Sequence, residues 1–266
     1  MEFLPYTPQS IRLQTRTTVI GRRIEMYERV RSTNDLAREA GRRGEPEGLL
    51  ILAEEQSQGR GRLGRTWVAP PRTGILGSLL LRPRFSAQHA FHLTMAAALA
   101  IHDTCAMADF KAFGMAPSIK WPNDVLVNGR KIAGVLSESE FSGGDWDFAV
   151  VGFGINANSN PEDLGPVQTP ATSFAREMGS AIDRVLLISR VLMFFEDAYL
   201  QLQNGQHRYV YERWTRALET VGRPVRVQEA GGLVEGTAVG VDPDGALLVR
   251  TSSGERRRVL AGDVLP

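Results

Sequence analysis

Residues 120–134 read KWPNDVLVNGRKIAG, and this stretch decides what kind of sheet the chain forms. Asn128-Gly129 lies between two strand-like runs, residues 124–127 and 130–139. Asn-Gly between two such runs is the strongest short-range signal for a β-hairpin. The stretch therefore predicts two neighbouring antiparallel strands, which an all-parallel sheet does not contain.

Apolar and alternating runs elsewhere extend this sheet and add helices around it. Five more strands are predicted, at residues 23–31, 48–53, 74–81, 117–121 and 147–155. Apolar content and helical spacing predict helices at residues 89–110, 182–203 and 206–218. Another helix is expected to begin at Ser32, because Asp35 three residues later approximates a capping box. The order of elements predicts an α+β fold, with a mixed or antiparallel sheet flanked by helices.

The pattern of residues along the chain changes after Gly222. Short strand-like runs alternate with Gly and Asp, and Asp244-Gly245 marks another hairpin turn. The predicted strands are residues 224–228, 233–241, 246–251 and 256–260. We therefore expect two domains, residues 1–220 and residues 221–266, the second a small β-barrel-like module.

Bulk properties exclude several classes of protein. The 266 residues carry a net charge of +1, whereas general nucleic-acid binders carry a strong basic excess. Cys105 is the single cysteine, so an intrachain disulfide is excluded and a reducing compartment is expected. The N-terminus does not resemble a signal peptide. No apolar run approaches the roughly 20 residues that span a bilayer. We expect a cytoplasmic protein that binds neither DNA nor membranes.

A loop rich in glycine and arginine follows the strand at residues 48–53. Residues 59–67 read GRGRLGRTW. Glycine allows close backbone approach, arginine offers a fork of donors for carboxylate or phosphate, and tryptophan offers a flat face for a base. The loop therefore predicts a site for an anionic, nucleotide-like ligand, with a solvated basic surface loop as the alternative.

The same loop spells the dinucleotide fingerprint G-x-G-x-x-G, but two features oppose that interpretation. The fingerprint opens a helix, whereas Pro70 and Pro71 follow this loop closely. It also requires an acid about 20 residues later, and neither Asp nor Glu occurs between Glu55 and Asp103.

Two further clusters indicate a polar site near the sheet. Lys120 and Lys131 flank the Asn128-Gly129 hairpin, where they either line a pocket or protect a strand edge from pairing. Residues 152–156 read GFGIN, and glycines inside an apolar strand often mark close approach by a ligand or by another backbone. Tight packing under a helix is the alternative.

Signals for other chemistry are weak. His89 and His92 are three residues apart without a nearby acid, which favours structural placement over a metal site. Cys105 lies in an apolar helix and is predicted to be a core residue. The sequence has neither a Walker A motif nor a G-x-S-x-G elbow.

Five blocks together resemble the biotin protein ligases. In order they are RSTN (residues 31–34), Gln56 with GRGRLGRTW (59–67), KWPND (120–124), GRKIAG (129–134) and GFGIN (152–156). One block alone would be weak, but five in the order of the family are specific. Leu63 stands where some members have another arginine. The resemblance implies a class II synthetase-like catalytic domain with a small C-terminal SH3-like β-barrel.

The resemblance also implies a two-step reaction. The carboxylate of biotin attacks the α-phosphate of ATP and gives biotinyl-5′-AMP, and a lysine of a biotin carboxyl carrier protein then takes the biotinyl group. ATP and Mg²⁺ are thus the expected cofactors, and the carrier domain of a carboxylase is the expected acceptor. Substrates supply both nucleophiles, so the enzyme is expected to contribute cations, positioning and a dry pocket.

Site residues follow from the resemblance block by block. Those expected to bind biotin or border its pocket are Ser32, Thr33, Asn34, Gln56, Gly59, Arg60, Gly61, Arg62, Lys131, Gly134, Gly152 and Gly154. Those expected to meet ATP are Arg65, Trp67, Lys120, Asn123, Asp124 and Asn156. Lys131 is expected to be the main catalytic cation, supported by Arg60 and Arg62, with Mg²⁺ expected near Asp124.

Two rival functions stay open. A lipoate ligase shares the catalytic fold and the adenylate chemistry, although the Gly-Arg loop and the KWPND block favour biotin. A DNA-binding biotin sensor would carry an N-terminal winged helix-turn-helix, and only some 20 residues precede the first block, so the monofunctional kind is expected. Family members often pair sheets edge to edge, which makes a homodimer the expected assembly.

Overall fold

The computed structural model describes residues 3–164, 169–229 and 231–265. A seven-stranded sheet is built from β1 (Arg23–Val30), β2 (Leu49–Gln56), β3 (Ile75–Leu81), β4 (Pro117–Lys120), β5 (Asp124–Val127), β6 (Arg130–Ser142) and β7 (Asp145–Ile155). The helices are α1 (Pro8–Gln14), α2 (Thr33–Arg42), α3 (Phe91–Cys105), α4 (Ala108–Lys111), α5 (Phe174–Met178), α6 (Arg184–Gln203) and α7 (His207–Ala217).

The large sheet is mixed. Its strand order is β1-β2-β3-β7-β6-β5-β4, in which β1 and β2 run parallel and every other neighbouring pair is antiparallel. The β5–β6 hairpin turns at Asn128 and Gly129, whose φ angles of 52° and 75° are those of a type I′ turn. The predicted hairpin and the predicted α+β class are both confirmed.

Both faces of the large sheet are covered, which explains why the first five residues of β2 are apolar. Leu49 and Ile51 pack with Ala37 and Ala40 of α2 on one face. Leu50 and Leu52 belong to the larger core on the opposite face, which contains α3 and α6. Since side chains alternate along a strand, a strand covered on both faces is a continuous apolar run.

The long Ala-rich helix is shorter than the sequence predicts. It begins at Phe91 and ends at Cys105, and α4 follows as a separate turn. His89 therefore lies in the short 3₁₀ turn before the helix, not on it. The buried character of α3 on nearly all sides is confirmed, and Cys105 is a buried core residue.

The predicted capping box at α2 is wrong. Ser32 occupies the N-cap position, but its side chain makes no capping hydrogen bond to the described start of the helix. Gln56 of β2 replaces it, because its Oε1 accepts from the Thr33 backbone N–H at 2.7 Å. Asp35, the expected partner in the box, instead holds Arg60 of the glycine-arginine loop.

A second sheet of five antiparallel strands follows. It is built from β8 (Pro224–Glu229), β9 (Gly232–Val241), β10 (Leu247–Arg250), β11 (Arg256–Val259) and β12 (Asp263–Leu265), in the order β11-β10-β9-β8-β12. Strand β12 was not predicted. Trp121 Nε1 donates to the Gly245 carbonyl at 2.8 Å, which attaches this sheet beside the end of β4.

The segment between β7 and α6 is only partly described. A 3₁₀ turn covers Pro161–Leu164, and residues 165–168 lie outside the described residues. Helix α5 was not predicted. Of the helices that the structure describes, none has the length and apolarity needed to cross a bilayer.

Candidate active site

The second half of β7 forms the floor of a cavity, because glycines there occupy positions that carry side chains in the first half. Phe148 and Val150 point to the α2 face and pack in the core beneath that helix. Gly152 and Gly154 continue the same alternation on the same face, where they leave space beyond the start of α2. The result is a cavity of about 460 Å³.

The cavity brings the five sequence blocks together. The lining includes Ser32, Thr33, Asn34, Gln56, Arg60, Gly61, Arg62, Arg65, Trp67, Lys120, Asn123, Asp124, Lys131, Gly134, Gly152, Gly154 and Asn156. Among the predicted site residues only Gly59 is absent from the described lining. Its role is internal to the loop, because a Cβ there would lie 2.5 Å from the Trp67 carbonyl oxygen.

A buried ion pair lies at one end of the cavity. Lys131 Nζ is 2.7 Å from Asp124 Oδ1, and both side chains are mostly shielded, with 24% and 18% exposed. The Lys131 ammonium also lies 5.4 Å from the Trp67 ring centroid. This end of the cavity therefore offers a positioned cation to an incoming anion.

Lys120 is a second cation at the same end. Its Nζ donates to Thr169 Oγ1 at 2.9 Å. Burial lowers the pKa of Lys120, Asp124 opposes that shift, and Lys131 adds to it. Both lysines line the cavity, as one of the two interpretations predicts, although Lys120 also lies on β4, an edge strand of the sheet.

The start of α2 forms a hydrogen-bonded polar wall. Gln56 Oε1 accepts from both the backbone N–H and the hydroxyl of Thr33, at 2.7 and 3.1 Å. The Ser78 hydroxyl of β3 lies 2.7 Å from Thr33 Oγ1 and 2.6 Å from Asn34 Oδ1. These bonds fix the Thr33 and Asn34 side chains toward the cavity.

Asn34 also explains why position 152 is glycine. A Cβ at Gly152 would lie 2.0 Å from Asn34 Oδ1, so the missing side chain makes room for this asparagine. Asn34 Nδ2 donates to Glu138 Oε2 at 2.6 Å. Close packing against this side chain is therefore one reason for a glycine at position 152, and contact of its backbone with a ligand stays a prediction.

The glycine-arginine loop folds into a small hairpin over the cavity. Trp67 N donates to Gly59 O at 2.9 Å, and Gly61 N donates to Arg65 O at 2.7 Å. The turn at the tip is a short 3₁₀ segment, Arg62–Gly64, in which Leu63 has a φ of 53°. No α-helix follows within the described loop, which excludes the dinucleotide fingerprint.

Each loop arginine has a different environment. Arg60 forms a two-point ion pair with Asp35, at 2.7 and 3.1 Å, and its pKa is raised mainly by that hydrogen bonding. Arg65 forms an ion pair with Asp263 of β12. Arg62 is different, because its Nη1 is buried and has no hydrogen-bond partner among the described residues. Burial lowers the pKa of Arg62.

Trp67 lies flat against the glycine floor. A Cβ at Gly154 would lie 2.3 Å from Trp67 Cε2, and one at Gly134 would lie 3.1 Å from Trp67 Cζ3. The two glycines therefore give space to an aromatic ring. The indole Nε1 is buried and unpartnered within the described part of the chain.

The two asparagines are braced by backbone. Asn123 Nδ2 donates to the Val135 carbonyl, and Asn156 Nδ2 donates to the Thr172 carbonyl at 3.0 Å. Both residues are buried, with 9% and 3% exposed. Their amide oxygens stay available at the cavity wall, since both hydrogen bonds use the nitrogen.

Sequence reasoning missed three contributors to the site. Ser78 is a buried polar residue in the otherwise apolar run of β3, and that contrast was its available signal. Glu138 holds Asn34, and Asp263 reaches the cavity from the C-terminal sheet. No local pattern indicated the last two, because their partners lie more than 100 residues away.

Known proteins match this chain over most of its length. Residues 26–156 match the sequence profile of the "Biotin/lipoate A/B protein ligase family", and residues 220–265 match that of the "Biotin protein ligase C terminal domain". The "Biotin--[acetyl-CoA-carboxylase] ligase" of Paracoccus denitrificans is 36% identical over 209 residues, covering 77% of this chain and 85% of that protein. The chain belongs to the biotin/lipoate A/B protein ligase family.

Two further members extend the comparison. The "Bifunctional ligase/repressor BirA" of Bacillus subtilis is 32% identical over 248 residues, covering 93% of this chain and 75% of that protein. The solved biotin protein ligase of Aquifex aeolicus, in complex with biotin and ATP, superposes with a TM-score of 0.74 at 26% identity. It covers 91% of this chain and 97% of its own, so the ligase fold extends through the C-terminal sheet.

Proposed function

We propose that this family member activates biotin with ATP as biotinyl-5′-AMP and transfers the biotinyl group to a lysine of a biotin carboxyl carrier protein. The observation that carries the proposal is the single cavity in which Lys131, Arg62 and the glycine floor meet. The names of the relatives support biotin as the acid and a carboxylase as the acceptor.

The first step brings two anions together, the biotin carboxylate and the α-phosphate of ATP. The cations of the cavity would offset the repulsion between them. Lys131 would lie at the biotin carboxylate and the α-phosphate, where it offsets the charge of the attack. Arg62 would supply a two-point contact to the acyl-phosphate, because its Nη1 is buried and has no hydrogen-bond partner among the described residues. Arg60 is held by Asp35 and would close the side of the cavity that lies next to α2.

The polar wall would recognise the biotin head group. Thr33 and Asn34 are preorganised by Gln56 and Ser78, so they would pair with the ring amide of biotin without a large loss of side-chain freedom. Ser32 borders the same wall. The expected contacts of Gly61, Gly134, Gly152 and Gly154 with the ligand belong to this proposal as well.

The nucleotide would occupy the end of the cavity opposite the polar wall. Trp67 would pack on the adenine, while Lys120 and Arg65 would meet the phosphates, with Asn123 and Asn156 nearby. Arg65 is engaged by Asp263 in this structure, so ATP would have to replace that partner. The Gly59–Trp67 hairpin would move with it, as mobile loops of ligases do when they exclude water.

Mg²⁺ would accompany ATP. The fit rests on Asp124, a cavity carboxylate whose Oδ1 is held by Lys131 and whose second oxygen is free of that contact. Mg²⁺ is usually bound through one or two carboxylates together with substrate phosphates. The ion would supply positive charge at the phosphate oxygens.

The domain division follows the same assignment. Residues 1–220 would form the catalytic domain and residues 221–266 the C-terminal domain, whose β12 places Asp263 at the cavity. A homodimer would form along β1, an edge strand of the large sheet. Light scattering of the purified protein tests for the homodimer, and a monomer at all concentrations would refute it.

Lipoate is the second candidate acid, since the matched family includes lipoate ligases. The match of residues 220–265 to a biotin protein ligase domain favours biotin. Mass spectrometry of a carrier domain after incubation with ATP and each acid separates the two. Biotin added to one lysine supports the proposal, and lipoate added in its place contradicts it.

A further inference from the structure

Three histidines converge on a point outside the cavity. His89 ends the 3₁₀ turn Ala87–His89, His92 lies in the first turn of α3, and His207 is the first residue of α7. One ring nitrogen from each lies within 4.8 Å of the other two. None of these histidines belongs to the lining of the biotin and ATP cavity.

The hydrogen bonding of His92 leaves its inner nitrogen free to act as a ligand. His92 is 2% exposed, and its Nε2 lies 2.7 Å from the Pro243 carbonyl oxygen. A carbonyl only accepts, so Nε2 carries the proton and donates it. In the neutral ring the lone pair is then on Nδ1. A metal-binding histidine is commonly held in this way, with its other nitrogen donating to a carbonyl.

The spacing of the nitrogens suits one metal ion. His92 Nδ1 and His207 Nδ1 are 3.2 Å apart. Two nitrogens bound tetrahedrally to the same Zn²⁺, each at about 2.0–2.1 Å, are separated by about 3.4 Å. His89 stacks on His207 with centroids 4.1 Å apart, and both rings are half-buried, so the His89 ring would have to turn to bring the third nitrogen to the ion.

We propose that His89, His92 and His207 form a binding site for a late first-row divalent cation such as Zn²⁺, Co²⁺ or Ni²⁺, the ions that prefer imidazole nitrogen. Water would complete the coordination. The ion would join the start of α3 to the start of α7. Through His92 and Pro243 it would also fix the turn between β9 and β10, where the C-terminal sheet meets the catalytic part.

Titration with metal tests the site directly. The tag-free protein is stripped with a chelator, transferred to buffer without ATP or biotin, and titrated with Co²⁺ while visible absorption is recorded. We expect one equivalent to bind with the absorption bands of nitrogen-bound Co²⁺, Zn²⁺ to displace it, and the melting temperature to rise. The matched control His102→Gln removes a histidine that pairs with Asp103 away from the cluster.

The variants His89→Gln and His207→Gln identify the ligands, and because both side chains are only half-buried they are expected to fold. Each should bind Co²⁺ at least tenfold more weakly than the wild type, while His102→Gln should bind as the wild type does. Binding below one equivalent at micromolar Co²⁺ would overturn the proposal. Equal binding by the wild type and His207→Gln would overturn it as well.

Discussion

Lys131 and Gly134 face the same cavity although they are three positions apart on β6, an odd spacing that puts residues of a regular strand on opposite faces. A register shift in the β5–β6 ladder resolves the conflict. Val125 pairs with Ala133 but Leu126 pairs with Lys131, so Ile132 is an extra residue. This bulge aims the Lys131 ammonium at Asp124, as bulges near active sites commonly re-aim a side chain.

The first prediction concerns Lys131 itself. Lys131→Ala removes the cation that would offset charge at the α-phosphate, and we expect biotin-dependent pyrophosphate release to fall by about 10²–10³-fold. Lys111→Ala, at the exposed end of α4, is the matched control and should keep the wild-type rate. Pyrophosphate release within a few-fold of wild type in Lys131→Ala would remove this lysine from its assigned role.

The second prediction concerns retention of the intermediate. Arg62→Ala removes a guanidinium whose buried Nη1 has no hydrogen-bond partner in the described part of the chain, so the adenylate should form slowly and leave the protein. Rapid gel filtration after a single turnover measures how much stays bound. Leu63→Ala changes the exposed neighbour on the same loop and serves as the control. Equal retention by both variants would mean that the loop does not hold the acyl-phosphate.

The third prediction uses the close contact of Trp67 with the floor. Gly154→Ala adds a methyl group 2.3 Å from Trp67 Cε2, so the indole must shift. We expect a changed tryptophan emission spectrum and at least tenfold weaker ATP binding. Gly240→Ala adds its methyl group where the nearest atom is 3.9 Å away, and it should change neither. ATP binding by Gly154→Ala that matches Gly240→Ala would refute a nucleotide role for Trp67.

The fourth prediction is a pH dependence. Burial lowers the pKa of Lys120, so this lysine loses its charge at a lower pH than an exposed lysine does. ATP affinity should therefore begin to decline at a lower pH than the titration of an exposed lysine, whose pKa is about 10.4. The variant Lys120→Arg keeps its positive charge throughout, so the decline in its ATP affinity should move to higher pH. Calorimetry from neutral to alkaline pH measures the ATP affinity of the wild type and of Lys120→Arg. Identical pH profiles of ATP affinity for these two proteins would contradict the prediction.

The sequence was sufficient for the fold class and for most of the cavity. The Asn128-Gly129 turn predicted an antiparallel pair, and the apolar run at residues 48–53 predicted the strand β2. The site residues followed from the resemblance to the biotin protein ligases, which five blocks of sequence carry. Gly59 is the exception, because its glycine is required by the Trp67 carbonyl inside the loop.

The remaining features depend on contacts between distant parts of the chain. Asp35 looked like a capping residue because its competing partner, Arg60, lies 25 positions away. The close packing of Asn34 against Gly152 could not be predicted, because the Asn34 side chain comes from α2. His207 lies 115 positions from His92, so a comparison of His89 with His92 alone gave no sign of a third ring.

Detection of the adenylate tests the central claim most directly. The purified chain is incubated with biotin, Mg²⁺ and ATP labelled at the α-phosphate, without an acceptor, and the labelled products are separated. We expect biotinyl-5′-AMP to appear with an equal amount of pyrophosphate, and to be absent when lipoate replaces biotin. Absence of a labelled adenylate with biotin, or equal amounts with both acids, would contradict the account.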